Sequence, residues 1–326
     1  MKPVVFVPVT GLILVILASG GCTGHGFQPG ALPAAPGVTA AGRKPSASVR
    51  RIPSGVKSRV DRAAAKGRLL YVADAGENAV LVYTYPQLAG AGILTGFAAV
   101  EGVCSDRRGY VWVLSNDETV TEFAHGGTQP INTLRTGNYS GDPGVTTGCA
   151  VNPKSGDLAV AGYDGLTVFF NGQENHATYL NFDFSKIAYV GYDNKSNLYI
   201  DGTTGSNDFL FAELPAGASA ISEITLSGGA VSAPGGIQWD GRYIDVGDAG
   251  SGNIYQTDGT AILGTVSTGA TCGGQFSITE NRKRVVLPDF CSSATGVYTY
   301  PSAGAALKTA DGQSQPLGAA ISVASP

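Results

Sequence analysis

The chain is short of charge and of the residues that most often carry chemistry. Asp, Glu, Lys and Arg make up 14% of its 326 residues, where an ordinary soluble domain has about 25%. Three histidines, His25, His125 and His176, are scattered through the sequence, a poor basis for a histidine general base or a zinc site. No G-x-S-x-G, Walker, paired Cys-x-x-Cys or D-x-D-x-D-G calcium-loop pattern occurs, so the common nucleophile, nucleotide and EF-hand signatures are excluded. No apolar run reaches the roughly twenty residues of a membrane-spanning helix; the longest, Val4 to Ala18, stops near fifteen.

Glycine is abundant instead, with 47 residues, and many turns with few charges favour β-structure. The length suits two average domains or one large all-β domain. The N-terminus, M-K-P-V-V-F-V-P-V-T-G-L-I-L-V-I-L-A-S-G-G-C, has the layout of an export signal: a lysine, an apolar run, then small residues. Its end, Ser19 to Cys22, resembles the lipobox of bacterial lipoproteins, which implies a lipidated Cys22 and an anchor in the cell envelope. Cleavage near Gly20 or Gly21 with full secretion is the other reading.

Residues 23–67 are rich in Gly, Pro, Ala and Ser and are expected to form a disordered tether. Of the 21 basic residues, nine lie before Arg68, against one acid, Asp61. The remainder therefore carries twelve bases and 24 acids. A basic tether is drawn to anionic lipid or is simply solvated, and the acidic body argues against nucleic acid.

The pentapeptide V-Y-T-Y-P occurs at Val82–Pro86 and again at Val297–Pro301. Each copy follows an alternating run ending in aspartate, L-L-Y-V-A-D at Asp74 and R-V-V-L-P-D at Asp289, 215 residues apart. That interval is five times 43, and an equivalent run stands at each step, ending at Ser115, Gly162, Gly202 and Asp248. Six strand-like copies with this period select a propeller. Each copy also has a preceding strand that opens on glycine, as in E-G-V-C-S-D at 101 and G-G-I-Q-W-D at 235.

The unit G-hydrophobic-x-x-D/N, a turn, then V-x-V-x-D resembles the NHL-repeat β-propeller family, most closely at residues 102–115. The resemblance implies an all-β, six-bladed propeller of four-stranded blades over 68–326. Within each blade, strand a opens on glycine, strand b is the reference run, and strands c and d follow. The last strand, near Leu317 to Val323, should pair with Leu69–Asp74 and close the ring. The tyrosines of V-Y-T-Y-P then pack between blades.

Cys272 and Cys291 flank neighbouring antiparallel strands on one face, so a disulfide between them is predicted. Cys104 and Cys149 lie on strands a of adjacent blades, one position out of step relative to their glycines. Their side chains are expected to point opposite ways, which disfavours a bond.

The d-to-a and b-to-c loops open on one face. It gathers Asp74, Glu77, Glu101, Asp117, Glu118, Asp142, Asp164, Asp208, Asp248 and Asp289 against Lys186. Such a face favours cations, basic peptide segments or metal-bridged polar ligands, while an aspartate at a strand end can equally cap a turn. The candidate ligand-binding residues are Glu101, Asp74, Asp248, Asp289, Asp117 and Asp142. Among six-bladed relatives, gluconolactonase-like hydrolases hold a divalent cation at the channel mouth with a glutamate before one strand-a glycine. Glu101-Gly102 matches that position, which implies Ca2+ at Glu101. Thr147-Gly148, Gly235-Gly236 and Cys272-Gly273 depart from the Asn-Gly or Asp-Gly of the other positions. The sequence therefore reads as an extracytoplasmic binding or scaffolding propeller engaging a protein, a glycan or a cation, with the metal-dependent hydrolase as the alternative.

Overall fold

In a computed structural model, the described residues are 52–136, 146–162, 165–181, 183–279 and 281–324. The expected signal, Cys22, the tether up to residue 51, Asp142 and Asp164 lie outside them. All described residues belong to one compact unit, Ala41–Pro326, and no helix among them is long and apolar enough to cross a membrane.

Six antiparallel sheets follow one another along the chain. Their b strands are Leu69–Asp74, Val111–Ser115, Leu158–Gly162, Leu198–Thr203, Ile244–Asp248 and Arg284–Asp289, the six runs expected from the repeat. Each pairs on one side with a glycine-opened strand a and on the other with strand c, and strand d forms the outer edge. The result is a six-bladed β-propeller.

Why strand b reads as an unbroken apolar run follows from its position. Every residue of Leu69–Asp74 is buried. Leu69, Tyr71 and Ala73 face a cluster with Val103 and Val113 of the second blade, whereas Leu70 and Val72 face Val286 and Val297 of the sixth. A strand sandwiched between blades needs apolar side chains on both of its faces.

The glycines of strand a have an equally direct cause. Around the axis the inner strands are crowded, and a side chain at these positions meets the next blade's backbone. A Cβ on Gly102 would come 2.7 Å from Thr147 O, one on Gly148 2.8 Å from Ala188 O, and one on Gly191 2.6 Å from Ile237 O. Only glycine permits that approach.

The ring closes as expected. Pro316–Ser322 pairs antiparallel with Leu69–Asp74, with Leu70 opposite Ile321 and Val72 opposite Ala319. The closing strand is also held by the second blade: Ser105 Oγ donates to Ile321 O at 2.8 Å and Ser322 Oγ donates to Gly109 O at 2.6 Å. The closing strand thus supplies the first blade with its innermost strand.

Residues 52–67, expected to belong to the tether, pack on the first blade instead. Arg59–Val60 adds a fifth strand to it by pairing with Gly90–Leu94. His125 Nε2 lies 3.1 Å from Ala65 O and 2.9 Å from Gly67 O. The segment is too polar to build a core of its own, yet an existing sheet edge supplies ladder partners and spares it that need.

Both V-Y-T-Y-P copies run from the end of strand c into a cis Tyr-Pro peptide, Tyr85-Pro86 and Tyr300-Pro301. Tyr85 and Tyr300 are buried. The Tyr300 hydroxyl reaches the fifth blade, 2.9 Å from Asp240 Oδ2 and 2.9 Å from either Asp245 carboxylate oxygen. The tyrosines of these copies thus pack between blades.

Both disulfides concern neighbouring strands. Cys272–Cys291 forms as predicted, with Cα atoms 5.5 Å apart. Cys104–Cys149 also forms, with Cα atoms 5.8 Å apart, against the expectation. The out-of-step relation is itself what permits the bond. Adjacent blades stack face to face, so equivalent positions point the same way round the ring, and two side chains meet across the gap only when they point opposite ways.

Candidate functional site

The aspartates that end strand b are loop caps. Asp74 accepts from the amides of Ser314 and Gln315 at 2.9 and 2.8 Å. Asp248 accepts from the amides of Ser232, Ala233 and Gly250 and from the hydroxyls of Ser232 and Ser251. Asp289 accepts from the amides of Thr271, Cys272 and Ser292 and the hydroxyls of Thr271 and Ser292. All three are buried. In each blade the carboxylate ties the loop entering strand a to the end of strand b, which explains the aspartate in the repeat. The three lie in different blades, and each is engaged in its own.

Blade four varies this scheme. Its aspartate, Asp201, stands one residue earlier, fully buried, and accepts from Tyr189 N within its own blade and Gly235 N of the next. Burial raises its carboxyl well above the usual range against the pull of these two amides.

Glu101 has a different setting. It is half-buried on strand a of the second blade, Val100–Ser105. Burial pushes its carboxyl up to about 7, opposed by the charge of Lys186. Lys186 opens strand a of the fourth blade; burial lowers its ammonium and Glu101 opposes that in turn. Glu101 and Lys186 are therefore electrostatically coupled across the intervening blade, whose Thr147 hydroxyl donates to Ala188 O at 2.6 Å. The remaining candidate, Asp117, is exposed and accepts from Thr119 Oγ1 at 2.6 Å.

A divalent cation needs several converging oxygens, and among the described residues no cluster of acids, histidines or cysteines that includes Glu101 gathers them. Among the described residues, the group of three or more potential ligands whose ligand atoms lie together is Cys272, Asp289 and Cys291, and its two sulfurs are joined in a disulfide. Among the described residues, the charge that acts on Glu101 is that of Lys186. Among the described residues, the Ca2+ implied by the lactonase resemblance thus has no converging set of carboxylates with Glu101.

Other acids at this end of the ring stand open to solvent. Asp117 and Asp208 are exposed, as are Asp183 and Asp311, which the sequence reading passed over. Arg135 at the end of its strand d is exposed on the same side.

At the opposite end, the a-to-b turns are capped in the same manner. Asp106 accepts from the amides of Arg108 and Tyr110, Asn152 from Lys154 and Ser155, Asp193 from Lys195 and Asn197, and Asp240 from Arg242 and Tyr243. These are the D/N positions of the repeat. Between the turns the channel widens into a cavity of about 870 Å³. Sequence reasoning missed it, because the repeat places the strands but says nothing of how wide each channel end is.

No protein-family model matches the chain, and no curated protein matches it in sequence. Solved structures do resemble it in fold. A chain in the crystal structure of a nidogen/laminin complex superposes with a TM-score of 0.64 at 13% identity, over 80% of this chain and all of that one. A protein of unknown function from Bacteroides caccae superposes with a TM-score of 0.60 at 10% identity, over 78% of this chain and 99% of that one. Likeness at this level of identity establishes the fold alone, and the fold is that of a β-propeller.

Proposed function

We propose that the chain is an extracytoplasmic binding or scaffolding module of the NHL-repeat type, exported by its N-terminal signal and anchored through Cys22. Its acidic face engages a partner carrying positive charge, a basic segment of an envelope or extracellular protein. The observation that carries this reading is the division of labour among the acids. Asp74, Asp248 and Asp289 are buried in loop capping and so belong to the frame, while Asp117, Asp183 and Asp208 stand exposed on the same face. Charged groups held on a rigid frame steer and select partners of opposite sign.

Two further facts support it. The two disulfides suit an oxidising compartment. The nidogen/laminin structure contains a propeller-like chain within a protein–protein complex, which is consistent with a protein partner here.

Titration of the full chain with a lysine-rich decapeptide tests the reading. Neutralising Asp117, Asp183 and Asp208 together to asparagine is expected to weaken binding at least about tenfold, while Lys154→Ala on the opposite end leaves it unchanged. Equal affinity for a glutamate-rich decapeptide would overturn it.

A further inference from the structure

Where the fifth and sixth blades meet, two carboxyl groups face one hydroxyl. Tyr300, just past strand c of the sixth blade, places its Oη 2.9 Å from Asp240 Oδ2 and 2.9 Å from either carboxylate oxygen of Asp245. Gln256 Nε2 donates to the same Oη at 2.7 Å. Asp245, Tyr300 and Asp240 are all buried. The two acids differ in what holds them: Asp245 lies within strand b of the fifth blade, Ile244–Asp248, whereas Asp240 belongs to the a-to-b turn that lines the cavity.

Counting protons fixes the arrangement. The hydroxyl has one proton to give, and it accepts from Gln256. With both acids ionised, one buried carboxylate would face an oxygen that has no proton left for it, which is strongly unfavourable. One added proton completes the chain: the protonated Asp245 carboxyl donates to Tyr300 Oη, and Tyr300 Oη donates to Asp240 Oδ2. Asp240 is the partner that keeps its charge, because its Oδ1 accepts from the amides of Arg242 and Tyr243, and such bonds favour the ionised form. Asp245 is the partner that holds the proton. Burial, then the charge of Asp240, push its carboxyl up to about 8 against the hydrogen bonds of Tyr300 and Gln256. From the sixth blade, Tyr300 is itself raised by burial and by the two acids. The basic groups nearby lie outside this contact: Arg242, over the Tyr243 ring at 4.7 Å, and Arg282, beside Gly241, are exposed, and Arg284 acts on Tyr85 of the first blade.

We infer that one buried proton, resting on Asp245 and relayed through Tyr300 to Asp240, latches the sixth blade to the fifth, and that its loss releases the Asp240 turn at the rim of the cavity. Asp245 cannot yield, since its strand is paired on both sides, with Gln238 and with Gln256 opposite it. Once both acids are charged, the one on the turn moves away from the other. Asp240 takes with it the adjacent Trp239, which lines the same cavity. The turn is therefore held below about pH 8 and freed as pH rises through that value. The latch is independent of the acidic-face reading, being at the other end of the ring.

The chain has two tryptophans, Trp112 and Trp239, so fluorine NMR of the full chain labelled with 5-fluorotryptophan reads the turn directly, with Trp239→Phe assigning the two resonances. Between pH 6.5 and pH 9.5 the Trp239 resonance is expected to move in one step with a midpoint near pH 8, while that of Trp112, in the second blade, stays in place. Asp245→Asn supplies the donor at every pH and is expected to abolish the step. Should Asp245→Asn fail to fold, Tyr300→Phe serves instead: it removes a hydrogen bond that favours the ionised Asp245, so the step moves to higher pH. A Trp239 resonance that does not move over this range overturns the inference, as does a step that keeps its midpoint in Asp245→Asn or in Tyr300→Phe.

Discussion

Single residues in this protein divide into those that hold the frame and those that face solvent, and the difference is measurable. Asp248, 2% exposed, accepts from three amides and two hydroxyls. Asp248→Ala strands those donors, and chemical denaturation is expected to show a loss of about 3 kcal/mol. Asp117→Asn on the exposed surface should stay within about 0.5 kcal/mol. A second prediction concerns pH. Asp245 is buried beside Asp240, and burial first, then the neighbouring charge, push its carboxyl up to about 8 against the hydrogen bonds of Tyr300 and Gln256. A carboxyl raised in the folded state favours folding fully below its unfolded pKa, near 3.8, and loses that contribution as pH rises through about 8. Thermal melts from pH 5 to pH 9 should therefore fall less for Asp245→Asn than for the wild type; parallel curves would contradict the assignment. At this scale much was legible in the sequence. The strand-b aspartates and strand-a glycines could be picked out by their recurrence alone. What recurrence leaves open is whether a repeated acid binds a ligand or caps a loop, because both uses place the same residue at the same strand end.

At the scale of strands and blades, the Cys104–Cys149 bond joins the inner strands of two blades, whereas Cys272–Cys291 joins neighbours in one blade. The first spans 45 residues and the second 19. In the chain-entropy view, their removal costs about 4 and about 3 kcal/mol. Cys104→Ser with Cys149→Ser is accordingly expected to lower the denaturation midpoint more than Cys272→Ser with Cys291→Ser. The opposite order would mean that the inter-blade bond is dispensable. Strand positions were readable because a strand between two blades must be largely apolar on both faces, a pattern interrupted only locally, as by the buried Asp201 and Asp245. The inter-blade bond was misread because the sequence orders strands within a blade more plainly than it orients the faces of two stacked blades. Residues 52–67 were misread for a related reason. Composition reports whether a segment can fold alone, and Arg59–Val60 needs only a free edge of the first blade.

The whole molecule is a closed ring with two unlike ends. One end carries exposed aspartates, among them Asp117 and Asp208; the other opens into a cavity whose lining includes Arg107 and Lys154 together with Asp106 and Asp240. The number of blades and the closure by Pro316–Ser322 could be derived from the repeat arithmetic. The cavity could not, since it depends on how far apart six turns stand around the axis. The central functional proposal is that exposed carboxylates on the acidic face draw a positively charged partner. The ionic-strength dependence of decapeptide binding by the full chain tests it most directly, because screening weakens attraction between exposed charges and spares apolar contacts. The lysine-rich peptide should lose affinity steeply between 20 and 300 mM salt, on the order of tenfold or more, and the variant neutralised at Asp117, Asp183 and Asp208 should show a flatter dependence. An affinity that holds constant across that range, or an equal slope in the two proteins, would contradict binding through the acidic face.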